Sequence, residues 1–218
     1  MLDRLGVERV HVVGHSSGAA VALQLALERP HLVHTLSLLE LSLFSVPSAE
    51  ELFQKARPAL EAYAAGDHAA AVAAFMTAVS GLEWTACVAL LERRMPGSVD
   101  QAVADADTFF GTELPVLTQW SFGPEQAAAI RQPALSVLGA DTEPLWVDVA
   151  ACLRTWLPHV EECAIDRVGH LLHIQRPEPV ARCVADFLRR HPLSIADGSS
   201  ASRDARIPTP RARPVAAR

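Results

Sequence analysis

The sequence predicts an α/β protein in which a parallel β-sheet is interrupted by a long helical insertion. Three observations lead to this prediction. Short apolar runs alternate with helix-forming stretches at both ends of the chain, which is typical of βαβ units. The middle of the chain, residues 44–130, has helical patterning and no convincing strand. A Gly-x-Ser-x-Gly motif at residues 14–18 lies directly between an apolar run and a helix-forming stretch.

The first βαβ unit begins close to the start of the sequence. Residues 9–13 predict a strand, and residues 19–29 predict a helix that ends before Pro30. Residues 35–39 predict a second strand. This strand is largely apolar, and such runs are typical of strands that are buried on both faces of a parallel sheet. We expect the crossover between the two strands to be right-handed.

The insertion at residues 44–130 predicts several helices in succession. Ser48 and Glu51 have the spacing of a capping box, which indicates the start of a helix. Pro58 is expected to kink that first helix. Glycines and one Pro-Gly pair separate the helical stretches. The candidate helices are residues 50–65, 67–79, 83–94 and 99–110.

A second strand–helix–strand unit follows the insertion. The pattern predicts a strand at residues 134–138, a helix at 145–156, a strand at 160–165 and a final helix at 177–191. The expected sheet therefore has about four mostly parallel strands, in a core made from residues 1–43 and 131–192. Residues 193–218 are rich in Ser, Pro and Arg and poor in large apolar side chains, which predicts a disordered tail.

The composition limits the possible partners and the cellular location. The chain has 218 residues, of which 50% are hydrophobic, and this is enough for one well-buried domain. The net charge of −6 gives no basic surface for nucleic acid. No apolar stretch is long enough to cross a bilayer, and charged residues interrupt the first ten positions, as they do not in a signal peptide. Four widely spaced cysteines predict free, buried thiols in a reducing cytoplasm.

The motif at residues 14–18 has the sequence form of a nucleophile elbow, the strained turn between a strand and a helix. Hydrolysis by a serine needs a base, an acid that orients the base, and donors for the oxyanion. Ser16 is the candidate nucleophile, and the backbone N–H of Ser17 is a candidate oxyanion donor. Gly14 and Gly18 are expected to be required because a side chain at either position would collide with a neighbour.

His170 is the candidate base because it follows Gly169 in the loop after the last predicted strand. Loops at the carboxyl ends of parallel strands are where such sheets present reactive groups. His173 is the local competitor, and we expect it to be a packed or solvated neighbour. His15 lies inside the elbow and cannot easily face its own serine.

These motifs resemble those of the α/β-hydrolase superfamily, specifically its cap-bearing branch of small esterases and related hydrolases. The resemblance covers roughly residues 1–191 and is carried by residues 12–18, 36–40 and 135–139 and by Gly169-His170 followed by Pro177-Glu178-Pro179. It implies a mostly parallel eight-stranded sheet with a helical cap, residues 44–130, over the serine. It also implies hydrolysis of a small ester, or of a similar acyl or carbon–carbon bond, without a metal or a cofactor.

The acid has three candidates. The family's chain order is serine, acid, histidine, and the acid is expected after the third predicted strand. Asp141 lies in that loop, 29 residues before His170, and is the default. Glu143 is close enough to compete. Glu40 ends the second predicted strand, and some members of this architecture place the acid one strand earlier. The usual acid position, three residues after the strand-end glycine, is Thr142 in this sequence.

The resemblance also implies about four strands, and a His-Gly loop with the second oxyanion donor, ahead of the elbow. This sequence starts inside the helix before the elbow strand, so one edge of strand 9–13 is expected to be open. Either the sequence is a truncated reading of a longer gene, which we favour, or it is a half-domain. A half-domain would pair its open edge with another chain, for example in a homo-oligomer.

The motifs favour a serine hydrolase in which Ser16, His170 and Asp141 act together on a small-molecule substrate. The alanine-rich insertion without clustered Lys or Arg indicates a small, largely apolar ester or related acyl compound. The alternative is a catalytically weak or inactive half-domain that acts in binding or by pairing with another chain.

Overall fold

The computed structural model describes residue 4 and residues 6–193, so the tail predicted from residue 193 onward lies, apart from Leu193, outside the described residues. The strands are β1 (Val10–His15), β2 (Val33–Leu39), β3 (Ala134–Gly139) and β4 (Val160–Ile165). The helices are α1 (Ser17–Glu28), α2 (Ala49–Ala64), α3 (His68–Ser80), α4 (Trp84–Arg94), α5 (Ser98–Ala104), α6 (Ala106–Thr108), α7 (Leu114–Gln119), α8 (Pro124–Ala127), α9 (Pro144–Trp156), α10 (Leu172–Gln175) and α11 (Pro177–Arg190). One π-helical turn, Phe109–Glu113, lies between α6 and α7.

The predicted fold class is confirmed, because four parallel strands pair in the order β1-β2-β3-β4 with helices on both faces. All four strands run in the same direction, so their carboxyl ends meet at one edge of the sheet. The loops that leave this edge carry Ser16, Glu40, Asp141 and His170. The sheet topology therefore brings all the candidate catalytic segments to one place.

Each face of the sheet has its own buried core. Leu36 and Leu38 of β2 belong to a cluster with α1 and α9 on one face. Leu135 and Val137 of β3 belong to a cluster with α11 on the other face, where Phe187 is fully buried. Successive side chains of a strand point to opposite faces, so a strand that is covered on both sides is largely apolar in both directions, here with small hydroxyl residues such as Ser37 among the buried ones. Two-sided burial holds the strand ends, and so the loops of the site, in fixed positions.

The segment between β2 and β3 is helical from α2 to α8. Helices α2 and α3 pack side by side and form a small core of their own around Ala59, Ala71 and Phe110. The predicted capping box is not formed, because Ser48 makes no side-chain hydrogen bond to the start of α2. Ser48 has φ −68° and ψ −8°, which is helical backbone, whereas an N-cap residue has an extended one. Helix α2 also continues through Pro58.

Two of the four cysteines differ from the prediction of free thiols. Cys163 of β4 and Cys183 of α11 form a disulfide, with their Cα atoms 6.7 Å apart. Cys87 and Cys152 are free, and Cys87 is buried. The spacing of the cysteines in the sequence did not predict this pair, because β4 and α11 come close to each other only in the folded chain.

The open edge predicted for the first strand is present in the part of the chain that the structure describes, where β2 is the one strand paired with β1. Val13 of β1 is 50% exposed. Pairing of this edge with another chain stays a prediction. None of the described helices is by itself long and apolar enough to span a membrane; α3 and α4 pass that test only as a pair, and they are bent by 93°.

Candidate active site

Ser16 occupies a strained turn between β1 and α1. Its φ of 55° lies in the left-handed region, which costs free energy for a residue with a side chain. Three backbone hydrogen bonds hold this conformation. The Ser16 N–H donates to the Leu39 carbonyl at 3.0 Å, and the Ser16 carbonyl accepts from the Ala19 N–H at 3.0 Å and from the Ser42 N–H at 3.3 Å. The turn therefore has the geometry of a nucleophile elbow.

The two glycines of the motif have different roles. A Cβ atom on Gly14 would lie 2.3 Å from the Gly18 carbonyl oxygen, which no backbone contact allows. A Cβ atom on Gly18 would have no heavy atom within 4 Å among the described residues. The expectation that both glycines prevent a collision is therefore correct for Gly14 and wrong for Gly18.

The side chain of Ser16 is hydrogen-bonded to a residue that the sequence did not single out. The Oγ atoms of Ser16 and Ser42 are 2.9 Å apart. Ser42 follows β2 and is 3% exposed. Among the described residues, this is the one side-chain hydrogen bond of Ser16, and none joins it to His170. Catalytic hydrogen bonds are often long or unformed before substrate binds. Ser16 and His170 can therefore act together although no hydrogen bond joins them here.

His170 lies in the loop between β4 and α10 and is 4% exposed. Its ring stacks on the indole of Trp146, with ring centroids 3.8 Å apart. Burial, and to a smaller extent the neighbouring His173, lowers the pKa of His170 below its ordinary value. The imidazole is therefore neutral at neutral pH, which is the state that a general base needs.

Glu40 is the carboxylate that contacts His170. Its Oε2 atom lies 2.8 Å from the Nδ1 atom of His170, and its side chain is completely buried. Two further donors reach it: the Gly139 N–H at 2.8 Å from Oε1, and the Thr142 hydroxyl at 2.9 Å from Oε2. Burial raises the pKa of Glu40 to about 7, and the hydrogen bonds from Gly139 and Thr142 oppose this increase.

The default acid, Asp141, is not brought to His170. Asp141 is exposed, and its backbone N–H donates to the Val168 carbonyl at 3.0 Å. Glu143 instead forms an ion pair with Lys55 of α2. The family's usual acid position holds Thr142, which cannot ionise but donates to Glu40. The preference for Asp141 is therefore not supported by the geometry, and the third candidate, Glu40, occupies the place beside the base.

His15 connects the elbow to the loop of the base. Its Nε2 atom donates to the His170 carbonyl at 2.8 Å, so the ring proton lies on Nε2. Its ring is 4.2 Å from that of His173 and 4.5 Å from that of His170, measured between centroids. Burial, followed by the charges of His170 and His173, lowers the pKa of His15 to about 2. His15 is therefore a neutral structural link and does not approach its own serine as a base.

A cavity of about 300 Å³ opens over Ser16. Ser17, Ser42, Trp146 and His170 also line it. The remaining lining residues are mostly apolar and come from α2, α3, the π-helical turn and α7: Leu52, Phe53, Ala56, Leu60, Phe75, Val79, Phe109, Phe110, Leu114, Pro115, Leu117 and Thr118, together with Phe44. None of these described residues is Asp, Glu, Lys or Arg.

A second cavity, of about 330 Å³, reaches Ser16 from the side of His15 and His173. It shares Ser16 and His170 with the first cavity. Its outer part lies against α4 and α5 and includes Met95, Ser98 and Ala102. Two of its lining atoms, Ser98 Oγ and His173 Nδ1, are buried without a hydrogen-bond partner in the described chain. Ser16 therefore lies where two cavities meet.

Ser17 is the first residue of α1, so its backbone N–H has no partner within the helix. It lines both cavities beside Ser16. An N–H in this position can donate to an oxyanion that forms on a bound acyl group. Among the residues that the structure describes, no group of three or more His, Cys, Asp or Glu side chains is arranged to hold a metal ion.

The comparisons with known proteins agree with this fold. The model of the protein family described as α/β hydrolase fold matches residues 1–177 of this chain. The hydrolase YugF of Bacillus subtilis (strain 168) is 22% identical over an alignment of 203 residues that covers 87% of this chain and 68% of YugF.

Two solved structures are similar in fold. MGS-M2, an α/β-hydrolase enzyme from a Medee basin deep-sea metagenome library, has a TM-score of 0.69 and 19% identity over 89% of this chain and 70% of its own. Naproxen esterase (carboxylesterase NP) from Bacillus subtilis has a TM-score of 0.61 and 19% identity over 86% of this chain and 62% of its own. The sequence thus spans about two thirds of the length of these relatives. The predicted resemblance is confirmed.

Proposed function

We propose that this chain, which belongs to the α/β-hydrolase family, is a serine hydrolase in which Ser16 attacks an acyl carbon. In this proposal His170 transfers the proton and Glu40 orients His170. The observation that carries the proposal is the buried hydrogen bond between Glu40 and His170, 2.8 Å long, at the edge of the cavity that contains Ser16.

The hydrogen bonds of Glu40 determine which nitrogen of His170 can act. A carboxylate accepts hydrogen bonds, so Nδ1 of the neutral ring carries the proton and Nε2 is free to accept one. Nε2 takes the proton of Ser16 as Ser16 Oγ bonds to the acyl carbon. The Ser17 N–H donates to the oxyanion. The carbonyl then re-forms as the bond between the acyl carbon and the leaving-group oxygen breaks, and Nε2 gives its proton to that oxygen. Water releases the acyl group from Ser16 by the same steps.

The substrate we propose is a small, largely apolar ester or a related acyl compound. A cavity of about 300 Å³ is at the lower end of the range for small-molecule sites, and its walls are apolar. We assign this first cavity to the acyl group. The second cavity, with Ser98 and His173 among its lining residues, receives the leaving group. Helices α2 to α8 act as the cap, and the cytoplasm is the proposed location.

A fluorophosphonate probe tests the proposal because it reacts with an activated serine whatever the natural substrate is. We expect the full chain to be labelled and the Ser16→Ala variant to remain unlabelled. Ser136→Ala, which removes a buried hydroxyl from β3, is the matched control and should be labelled like the wild type. Labelling that survives in Ser16→Ala would refute the assignment of the nucleophile. No labelling of soluble, folded wild-type protein would favour the alternative of a half-domain that binds without catalysis.

A further inference from the structure

Ser42 presents a second hydroxyl to the proposed reacting atom. Its Oγ atom lies 2.9 Å from Ser16 Oγ, and its backbone N–H donates to the Ser16 carbonyl at 3.3 Å. Both residues line the first cavity. Ser42 reaches this position because the chain turns sharply at Glu40, where φ is 44°. The same turn therefore places Glu40 beside the base and Ser42 beside the nucleophile.

We propose that Ser42 is a further catalytic residue, whose hydroxyl donates to Ser16 Oγ and stabilises the negative charge that develops there. This inference rests on the proposed function of Ser16. Ser42 lies on the β2 side of the site, whereas the Ser17 N–H points into it from the start of α1.

The direction of the hydrogen bond follows from the number of protons available. Ser16 has one hydroxyl proton, and catalysis requires that this proton face Nε2 of His170. Ser42 must then be the donor in the bond between the two hydroxyls. Among the described residues, Ser16 is the one hydrogen-bond partner of Ser42 Oγ. A buried hydroxyl proton without an acceptor is costly, so the hydroxyl of Ser42 keeps its hydrogen bond to Ser16 Oγ.

The bond becomes stronger as the reaction proceeds. When Ser16 gives its proton to Nε2 of His170, charge builds up on Oγ, and a hydrogen bond to a charged oxygen is about twice as strong as a neutral one. The Oγ–C bond then forms while the π electron pair of the carbonyl moves onto the carbonyl oxygen. Once that bond has formed, the negative charge lies on the carbonyl oxygen, to which the Ser17 N–H donates. Ser42 loses no proton in any step.

The test compares Ser42→Ala with Ser42→Thr, which keeps the hydroxyl. Removing the hydroxyl is expected to lower kcat by about 10- to 100-fold, somewhat less than the loss of a full oxyanion-hole donor. KM should change less than about twofold, because the bond strengthens only in the transition state. The rate constant for fluorophosphonate labelling should fall in parallel. Ser42→Thr should recover most of the activity.

Ser37→Ala is the matched control, because Ser37 is a fully buried serine of β2 whose hydroxyl has no partner in the described chain. It should leave kcat unchanged. Thermal unfolding confirms that each variant is folded, and Ser42→Cys, with a weaker donor of similar size, replaces Ser42→Ala if that variant is not folded.

Two results would overturn the inference: a kcat of Ser42→Ala equal to or above that of the wild type, or a Ser42→Thr as slow as Ser42→Ala. Either result in an enzyme that still depends on Ser16 leaves the proposed function intact. Labelling that is insensitive to Ser16→Ala contradicts the proposed function itself.

Discussion

Glu40 has a backbone conformation that glutamate seldom adopts, with φ of 44°. Such strain persists only where the surrounding structure holds the residue in place. Here the carboxylate receives three hydrogen bonds, from Gly139, Thr142 and His170, and the Glu40 N–H donates to the Val137 carbonyl at 3.0 Å. The strained turn directs the side chain back across the sheet, toward the base.

Glu40→Gln is expected to abolish most of the activity while leaving the protein folded. The amide NH₂ can donate to Nδ1 of His170, which then carries its ring proton on Nε2 and can no longer accept the proton of Ser16. A change of this kind at the acid of a serine protease lowers kcat by about 10⁴-fold, and we expect a loss of about 10³- to 10⁴-fold here. The measurement is kcat on a p-nitrophenyl ester.

Asp141→Asn is the matched control for this prediction, because it makes the same chemical change at the exposed carboxylate. It should retain wild-type activity within about threefold. A large loss in Asp141→Asn together with an active Glu40→Gln would return the role of the acid to Asp141.

The pH profile is a second readout of the same residue. Burial raises the pKa of Glu40 to about 7, so the folded protein binds this proton at a higher pH than an exposed carboxylate would. As the pH falls through about 7, the protonated carboxyl becomes a donor to Nδ1, and the ring proton moves to Nε2. The acidic limb of kcat/KM should therefore lie near that pH in the wild type. In Glu40→Gln the residual activity should not show this limb.

The limits of sequence prediction are clearest at this site. Ser16 and His170 could be singled out because each has a local signature, a strand–turn–helix motif or a glycine after a strand. The acid has no such signature, since Glu40, Asp141 and Glu143 all follow strand ends. Their positions depend on the direction of each turn, which the sequence does not reveal. Ser42 carries no motif either, and its position depends on the turn at Glu40.

At the scale of elements, the helices between β2 and β3 supply most of the wall of the first cavity over Ser16. The π-helical turn widens the helical path between α6 and α7 and places Phe109 and Phe110 in the wall of the first cavity. Such irregular turns are frequent at functional sites. Helix α2 is also tied to the core, because Lys55 pairs with Glu143 at the start of α9. This ion pair joins one wall of the cavity, α2, to the segment that follows β3.

Filling each cavity separately should change a different part of the substrate preference. Ala56 of α2 lines the first cavity, and Ala102 of α5 lines the second. Ala56→Phe is expected to lower kcat/KM for an octanoyl ester relative to an acetyl ester by about tenfold or more, which is the scale of such pocket discrimination. Ala102→Phe should leave that ratio unchanged and lower kcat/KM for an acetate with a bulky alcohol relative to ethyl acetate.

Each variant serves as the control for the other, and ratios within one variant cancel any loss of folded protein. If Ala102→Phe changed the acyl preference as strongly as Ala56→Phe does, the assignment of the two cavities to different parts of the substrate would be wrong.

For the whole molecule, the sequence predicted the order of strands and helices well because two-sided burial leaves a strong apolar pattern in β2 and β3. It predicted the cysteines less well. The disulfide joins Cys163 on β4 to Cys183 on α11, residues that are 20 positions apart. Helix α11 packs against β3 and β4. The disulfide therefore holds α11 on the sheet at the edge strand β4.

Protein purified without reductant and then unfolded is expected to react with a maleimide at two cysteines, Cys87 and Cys152, and at all four after reduction. Removing the disulfide by Cys183→Ser should lower the free energy of unfolding by about 2–4 kcal/mol, because the unfolded chain regains the freedom of the closed loop. Cys152→Ser, the control at a free thiol, should leave it nearly unchanged. Reductant should lower the Tm of the wild type toward that of Cys183→Ser and leave the variant unaffected. Four reactive thiols in the unreduced protein would instead support the free cysteines predicted from the sequence, with packing alone holding α11 on the sheet.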